Sequence, residues 1–298
     1  MATYKRINAQ CFVKRNVVHL FEGENTPELR YVSHVTPNAS AHPMLMHSHK
    51  NHVELLLICQ GESDFLIHNK KKHVRKGDLL IYNSNIVHDD VTGPECEIEL
   101  FCAAIGGLHM KGLRENALIP DDAGYIFHTT EKEYRDLYSM FDMMFHNLLD
   151  EEMQAEAVCD ALMHAILNKT LAVVNRCSGV EEREVAEPNI LGNQIKEYID
   201  EHYMELLTLE SIGKALHISP YYLSHIFKEM SGYSPIQYLL RRRLGEAQNL
   251  LISTDMSITD IAGMVGFDTQ SYFNAQFTKN IGMPPKKYRQ NYLAKKEE

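Results

Sequence analysis

Between Thr208 and Arg289 one arrangement of apolar and polar positions is written twice. Leu209, Ile212 and Leu216 lead into His217-Ile218-Ser219-Pro220, then Leu223 and Phe227, closing at Gly232 and Pro235. About fifty residues on, Ile258, Ile261 and Val265 lead into Gly266-Phe267-Asp268-Thr269, then Phe273 and Phe277, closing at Gly282 and Pro285. The spacing predicts in each copy a short amphipathic helix, a tight turn and a second capped helix, a helix-turn-helix unit.

Thr208 is placed to cap the first helix. Ser219, followed by Pro220, is placed to cap the second. In the later copy Gly266 supplies a positive-φ turn position and Asp268 is read as the cap. A helix over 190–203 precedes the first copy. Ser234-Pro235-Ile236-Gln237 opens a long helix reaching about Ile252 through a capping box. Some eighteen residues give a rod of ~27 Å, nearly one DNA turn of ~34 Å, so both second helices could enter successive major grooves.

Ahead of this half the pattern differs. Short apolar runs at Glu54–Cys59, Asp64–His68 and Leu79–Tyr82 are separated by turns at Gln60-Gly61, His68-Asn69 and Lys76-Gly77-Asp78, which predicts a small antiparallel barrel. From Glu131 to about Arg176, apolar residues at three- and four-residue spacing predict two amphipathic helices. Their methionines (Met140, Met143, Met144, Met153, Met163) suit either packing on the barrel or pairing with a second chain, and a homodimer is expected. The polar, acidic stretch from Ser178 to Pro188 reads as a linker. The fold class expected is therefore α+β in two domains, with residues 1–177, a linker 178–188, and residues 189–298.

Charge changes the picture only when divided. The 298-residue chain carries a net charge of −10. From Asn189 onward 12 Lys and Arg face 12 Asp and Glu, while the first 188 residues carry 18 against 28. DNA affinity must then come from local clusters, for which Arg241-Arg242-Arg243, Lys286-Lys287, Arg289 and Lys295-Lys296 are the candidates. No apolar run reaches the ~18 residues of a membrane span, and residues 1–10 lack a signal-peptide centre, so no membrane partner and a cytoplasmic location are expected. Six scattered cysteines without a CxxC pair fit reduced thiols.

Two resemblances follow. His47-Ser48-His49, Glu54 and Gly61, then Gly77-Asp78 opening a strand that ends near His88, resemble the two cupin motifs. Asn83-Ser84-Asn85 stands where a proline and glycine are usual. In metal-dependent cupins the positions of His47, His49, Glu54 and His88 hold a divalent metal, and these donors suit Fe, Mn, Ni or Zn. The alternative is that they line an effector pocket as polar groups. With Tyr82 they form the expected effector site, for a small polar, possibly sugar-like molecule, and no resident cofactor is expected. His42, His52, His68 and His73 are read as surface residues.

The second resemblance is to AraC/XylS-type transcriptional regulators. It rests on Ile258, Ile261-Ala262, Val265-Gly266-Phe267, Ser271-Tyr272-Phe273, Phe277, Gly282-x-Pro284 and Tyr288-Arg289. The first copy matches in Ser219, Tyr222-Leu223-Ser224, Phe227-Lys228 and Gly232-x-Ser234-Pro235. The resemblance implies a one-component regulator, an activator or repressor, that binds promoter DNA and RNA polymerase and responds to an effector. Base-reading positions fall on Tyr221, Ser224, His225, Gln270, Ser271, Asn274 and Ala275, where arginine is usual at the last. Lys228, Arg243, Lys279 and Arg289 complete the expected DNA face. No enzyme activity is expected. The rival readings are a metal-dependent cupin enzyme fused to a DNA-binding tail, and a ligand-independent dimeric regulator.

Overall fold

A computed structural model describes residues 26–37, 44–67, 70–89, 98–151, 153–177 and 190–293. The expected linker, His42, His68, the His68-Asn69 turn and Lys295-Lys296 lie outside the described residues. The strands are β1 (Glu28–Val35), β2 (His52–Gln60), β3 (Glu62–Ile67), β4 (Lys70–Arg75), β5 (Asp78–Tyr82), β6 (His88–Asp89), β7 (Glu99–Gly106) and β8 (Ile126–His128). They pair antiparallel in two sheets, ordered β1-β7-β2-β5-β8 and β4-β3-β6. Among the described residues the sheets do not close into the expected barrel, and His47 and His88 form an isolated bridge instead. β6, at two residues, is too short to carry a closing ladder.

β2 explains the layering. Every residue from Val53 to Cys59 is buried, because both of its faces are covered. Alternation sends Val53, Leu55, Leu57 and Cys59 into a core shared with α1 (Glu131–Leu149) and α2 (Ala155–Cys177). Leu56 and Ile58 join Phe65, Ile67 and Val74 in a second core between the sheets. Glu54 therefore points to the inter-sheet side, opposite Tyr82 in register. The strand opened by Gly77-Asp78 stops at Tyr82, short of His88. Buried Asn83 breaks it, accepting from the Leu118 backbone N–H (2.9 Å) and donating to the Ile119 carbonyl (2.7 Å).

α1 and α2 pack on the five-stranded sheet. Met144 and Met163 are core residues, whereas Met143 and Met153 are exposed. α2 is long and apolar enough to cross a membrane by length and composition, but its Cys159, Met163, Ile166, Leu167 and Val173 are buried in this core.

The helical half comprises α3 (Ile190–His202), α4 (Leu209–Ala215), α5 (Pro220–Ser231), α6 (Pro235–Ser253), α7 (Ile258–Met264), α8 (Gln270–Ile281) and α9 (Pro285–Leu293). Thr208, Ser219, Ser234 and Ser257 each cap a helix. Ser234 and Gln237 form the expected capping box. Asp268 does not cap α8. Thr269 does, its hydroxyl accepting the Tyr272 N–H at 3.2 Å. The second turn is one residue longer than the first, so the repeat is offset by 49 residues before the turn (209 to 258) and by 50 after it (220 to 270). Gly266 has φ of +91°, and a Cβ there would meet the Met204 carbonyl at 2.8 Å. In the first turn His217 takes the left-handed conformation, at φ 57°.

Ile195, Ile199, Ile212, Leu223, Phe227 and Tyr238 form the core of the first unit. Leu244, Leu251, Ile261, Val265, Phe273, Phe277 and Tyr288 form that of the second. Each large apolar side chain stabilises its unit by roughly 1.5–3 kcal/mol. α6 contributes to both cores and, at 19 residues, spans about 28 Å.

Candidate functional site

The inter-sheet side of β2 gathers four groups from three chain segments. His47 and His49 come from the stretch before β2, Glu54 from β2 and His88 from β6, at 4%, 7%, 5% and 2% exposure. One donor atom from each lies within 4.8 Å of all the others. His47 Nδ1 donates to the Leu45 carbonyl (2.8 Å) and His88 Nδ1 to the Ile86 carbonyl (2.9 Å). These bonds to carbonyls fix the proton on Nδ1 and turn Nε2 inward. His88 Nε2 stands 3.1 Å from Glu54 Oε2, and His49 Nε2 stands 3.4 Å from Glu54 Oε1.

Electrostatics follow from burial. Desolvation takes the His47 pKa well below its usual value, with His88 and His49 pushing the same way against Glu54. Burial alone would raise Glu54, but His49 and His88 overcome it and hold the carboxyl well below the usual range. The cluster is thus a carboxylate facing imidazole nitrogens. Tyr31 Oη donates to Glu54 Oε1, and Tyr82 stacks on His88 at 4.1 Å between centroids. His52, expected at the surface, stacks on His49 at 4.2 Å, and burial lowers its pKa to about 4. His73 is exposed, beside Asp64 and Glu62.

Tyr31 and His52 could not be found from motif spacing. Their partners are 23 residues away on another strand and three residues earlier, in the stretch before β2.

The second candidate site is the outer face of α5 and α8. Tyr221, His225 and Lys228 are exposed and Ser224 is half-buried. Fifty residues on, Ser271, Ala275 and Asn274 repeat the first, second and last of these burial levels. Gln270, Asn274, Ala275, Lys279 and Lys286 line one open groove. Asn274 Oδ1 is buried without a hydrogen-bond partner, and Gln270 Oε1 accepts from Thr259 Oγ1 at 2.8 Å.

The expected arginine cluster is elsewhere employed. Arg241 pairs with Asp89. Arg242 donates to Ser48 Oγ (2.8 Å) and Glu246 Oε2 (3.3 Å) and lies over the Tyr203 ring. Arg243 donates to the carbonyls of Tyr203 (2.7 Å) and Glu205 (2.6 Å). Arg289 donates to the carbonyls of Leu251 (3.0 Å) and Met256 (2.7 Å). Arg243 and Arg289, expected on the DNA face, are therefore ties between helices. Each spends two of its five N–H donors on these carbonyls. Lys228, Lys279, Lys286 and Lys287 remain exposed.

Comparison with known proteins gives a match for each half of the chain. Residues 31–168 match the AraC-like ligand binding domain and residues 212–291 match a helix-turn-helix domain. An HTH-type transcriptional regulator of Escherichia coli (strain K12), YdiP, is 26% identical over 255 residues, covering 83% of this chain and 81% of its own length. AdaA of Bacillus subtilis (strain 168), a bifunctional transcriptional activator and DNA repair enzyme, is 39% identical over 104 residues, 35% of this chain and 48% of that protein. The C-terminal domain of AraT, a response regulator from Geobacillus stearothermophilus, is 38% identical, covering 36% of this chain and 88% of that one at a TM-score of 0.34. With a ligand-binding half followed by a helix-turn-helix half, the chain belongs to the AraC family of DNA-binding transcriptional regulators.

Proposed function

We propose that residues 1–177 sense a compact polar effector at His47, His49, Glu54 and His88, flanked by Tyr82, and that residues 189–298 read promoter DNA. The observation that carries this reading is the repeat of exposed faces on α5 and α8 at the two ends of a single rigid helix. A helix face enters the major groove, where Asn and Gln can bond adenine through two atoms. Tyr221, Ser224 and His225 face one groove in this reading, and Gln270, Ser271, Asn274 and Ala275 the next. Lys228 and Lys279 meet phosphates.

The spacing of the cluster bears on the effector. Two opposed hydrogen bonds alone span about 5.6 Å. Donors that lie within 4.8 Å of one another leave no room between them for a sugar ring. A ligand seated between the four donors is therefore smaller than a sugar ring, while one that rests against their open side is not limited by this spacing. Exposed Met143 and Leu149 on α1, with Met153 in the turn before α2, support pairing of two chains through these helices. Action in the cytoplasm and contact with RNA polymerase follow from the family.

The test is binding of the full chain to a ~25-base-pair duplex from upstream of its own gene, against a shuffled duplex at ~0.15 M salt. A preference of about 10³ is expected. Equal, weak binding to both, with and without effector candidates, would remove the reading.

A further inference from the structure

The two reading helices are built alike but present different surfaces. The repeat sets Tyr221 against Ser271, Ser224 against Asn274, His225 against Ala275 and Lys228 against Thr278. All but Ser224 and Asn274 in this set are exposed. Where α5 carries an imidazole, α8 carries a methyl group, and where α5 carries an ammonium, α8 carries a short hydroxyl side chain. At the position of Ala275, α8 has no side-chain atom that can donate or accept a hydrogen bond.

These small side chains open a groove beside α8. Its apolar lining comes from Ile258 at the start of α7, Ala275 on α8, and Pro284 and Pro285 at the start of α9. Ile258 packs on the core of the second unit and Pro285 is buried, so both are set by the fold. Lys279 and Lys286 line the same groove and are exposed. Two cations beside an apolar surface fit a ligand that joins phosphates to a small apolar group. Duplex DNA is such a ligand.

Base chemistry names the apolar group. In the major groove a base pair is read through donors, acceptors and one methyl group, that on C5 of thymine. A G·C pair has no such methyl group. Asn274 and Gln270 line the groove as well, and the two-atom match of their amides is adenine, the partner of thymine. Thr259 Oγ1 donates to Gln270 Oε1 at 2.8 Å and orients that amide. Methyl group and amides ask for the same kind of base pair.

We propose that Ala275 determines specificity by packing against the C5-methyl group of a thymine, so that the second unit selects A·T pairs. The first unit, with His225 in the equivalent place, does not share that contact. The inference rests on the reading of DNA by α8 given above. It makes the operator asymmetric, with the methyl-dependent half-site under α8.

The test needs no operator known beforehand. The full chain selects duplexes from a random pool at ~0.15 M salt, where weak phosphate binding is suppressed. In a selected duplex each thymine is then replaced, one at a time, by deoxyuridine, which keeps every hydrogen-bonding group and lacks only the methyl. A loss of about 4-fold in wild-type affinity is expected at one thymine, or at two neighbouring ones, of a single half-site, as for exposing one buried methyl group. At the same thymine, deoxyuridine should leave the affinity of Ala275→Gly unchanged. Each comparison is made within one variant, so a general weakening of its binding cancels. Glycine also weakens a helix. Ala275→Ser, which replaces the methyl by a hydroxymethyl group, decides the matter if Ala275→Gly does not fold by circular dichroism. Ala275→Arg, whose fork fits guanine, should shift the selected pool toward guanine in that half-site by about 5-fold or more.

A selected duplex in which no thymine is sensitive to loss of its methyl overturns the role of Ala275, and the regulator reading stands. So does a sensitivity that persists in the folded Ala275 variants. A pool in which no sequence is enriched overturns both readings.

Discussion

Thr269 and Asp268 show how one residue separates a cap from a bystander. The Thr269 hydroxyl satisfies an otherwise unpaired N–H at the start of α8, and Asp268 makes no such bond. Thr269→Ala should destabilise the helical half by about 1 kcal/mol, and Asp268→Ala by markedly less. Urea denaturation followed by circular dichroism measures both, and equal midpoints would contradict the assignment. Asn274 has an amide oxygen buried without a partner, in a groove between α8 and the start of α9. Asn274→Ala should relax base preference at one position of the site, a loss of about 1–3 kcal/mol of discrimination there. Affinities for all single-base variants of the duplex report it, and an unchanged preference at every position would remove the role. Motif spacing in the sequence held His47, His49, Glu54 and His88. It could not hold Tyr31, His52 or the fate of Arg241, whose partner Asp89 is 152 residues away. A run of arginines has the same sequence whether it faces water or another domain.

At the scale of elements, helices were more legible than strands. Caps and three- and four-residue spacing are local, so α3 to α8 start close to where the chain signals them. β1, β4 and β7 carry no comparable local mark, and β7 is identified only by its partners β1 and β2. The roles of α6 also depend on what surrounds it. Arg243 joins α6 to the carbonyls ahead of α4 and lies over the Phe267 ring of the second turn. Hydrogen bonds to a charged group contribute about 1.5–3 kcal/mol, so Arg243→Ala should destabilise the helical half by about 2 kcal/mol. Its DNA affinity should keep the wild-type salt dependence. Lys279→Ala, at an exposed position, should lower the slope of log affinity against log salt by about 1 and leave stability unchanged. Titrations at several salt concentrations separate the two roles. A slope change in Arg243→Ala equal to that in Lys279→Ala would return the arginine to the DNA face.

Across the whole molecule, distance is fixed where it matters. α6 is buried against the first unit, the second unit and the Leu45–Met46 stretch, and it has no hinge glycine free to bend, since Gly245 is the point of closest contact. Reading heads joined by a rod about 28 Å long can meet two adjacent major grooves on one side of a duplex, and only at one separation. Inserting five base pairs between the two half-sites turns one of them to the opposite side of the DNA. Inserting ten restores the side but lengthens the path by a full turn of ~34 Å. A flexible tether would recover much of its affinity at ten. A rigid α6 would not, and both insertions should reduce binding toward that of a single unit. If the lost unit reads two or three bases at about 1–3 kcal/mol each, the reduction is at least about 30-fold. Recovery of near wild-type affinity with the ten-base-pair insertion would mean that the two units part from α6 on binding.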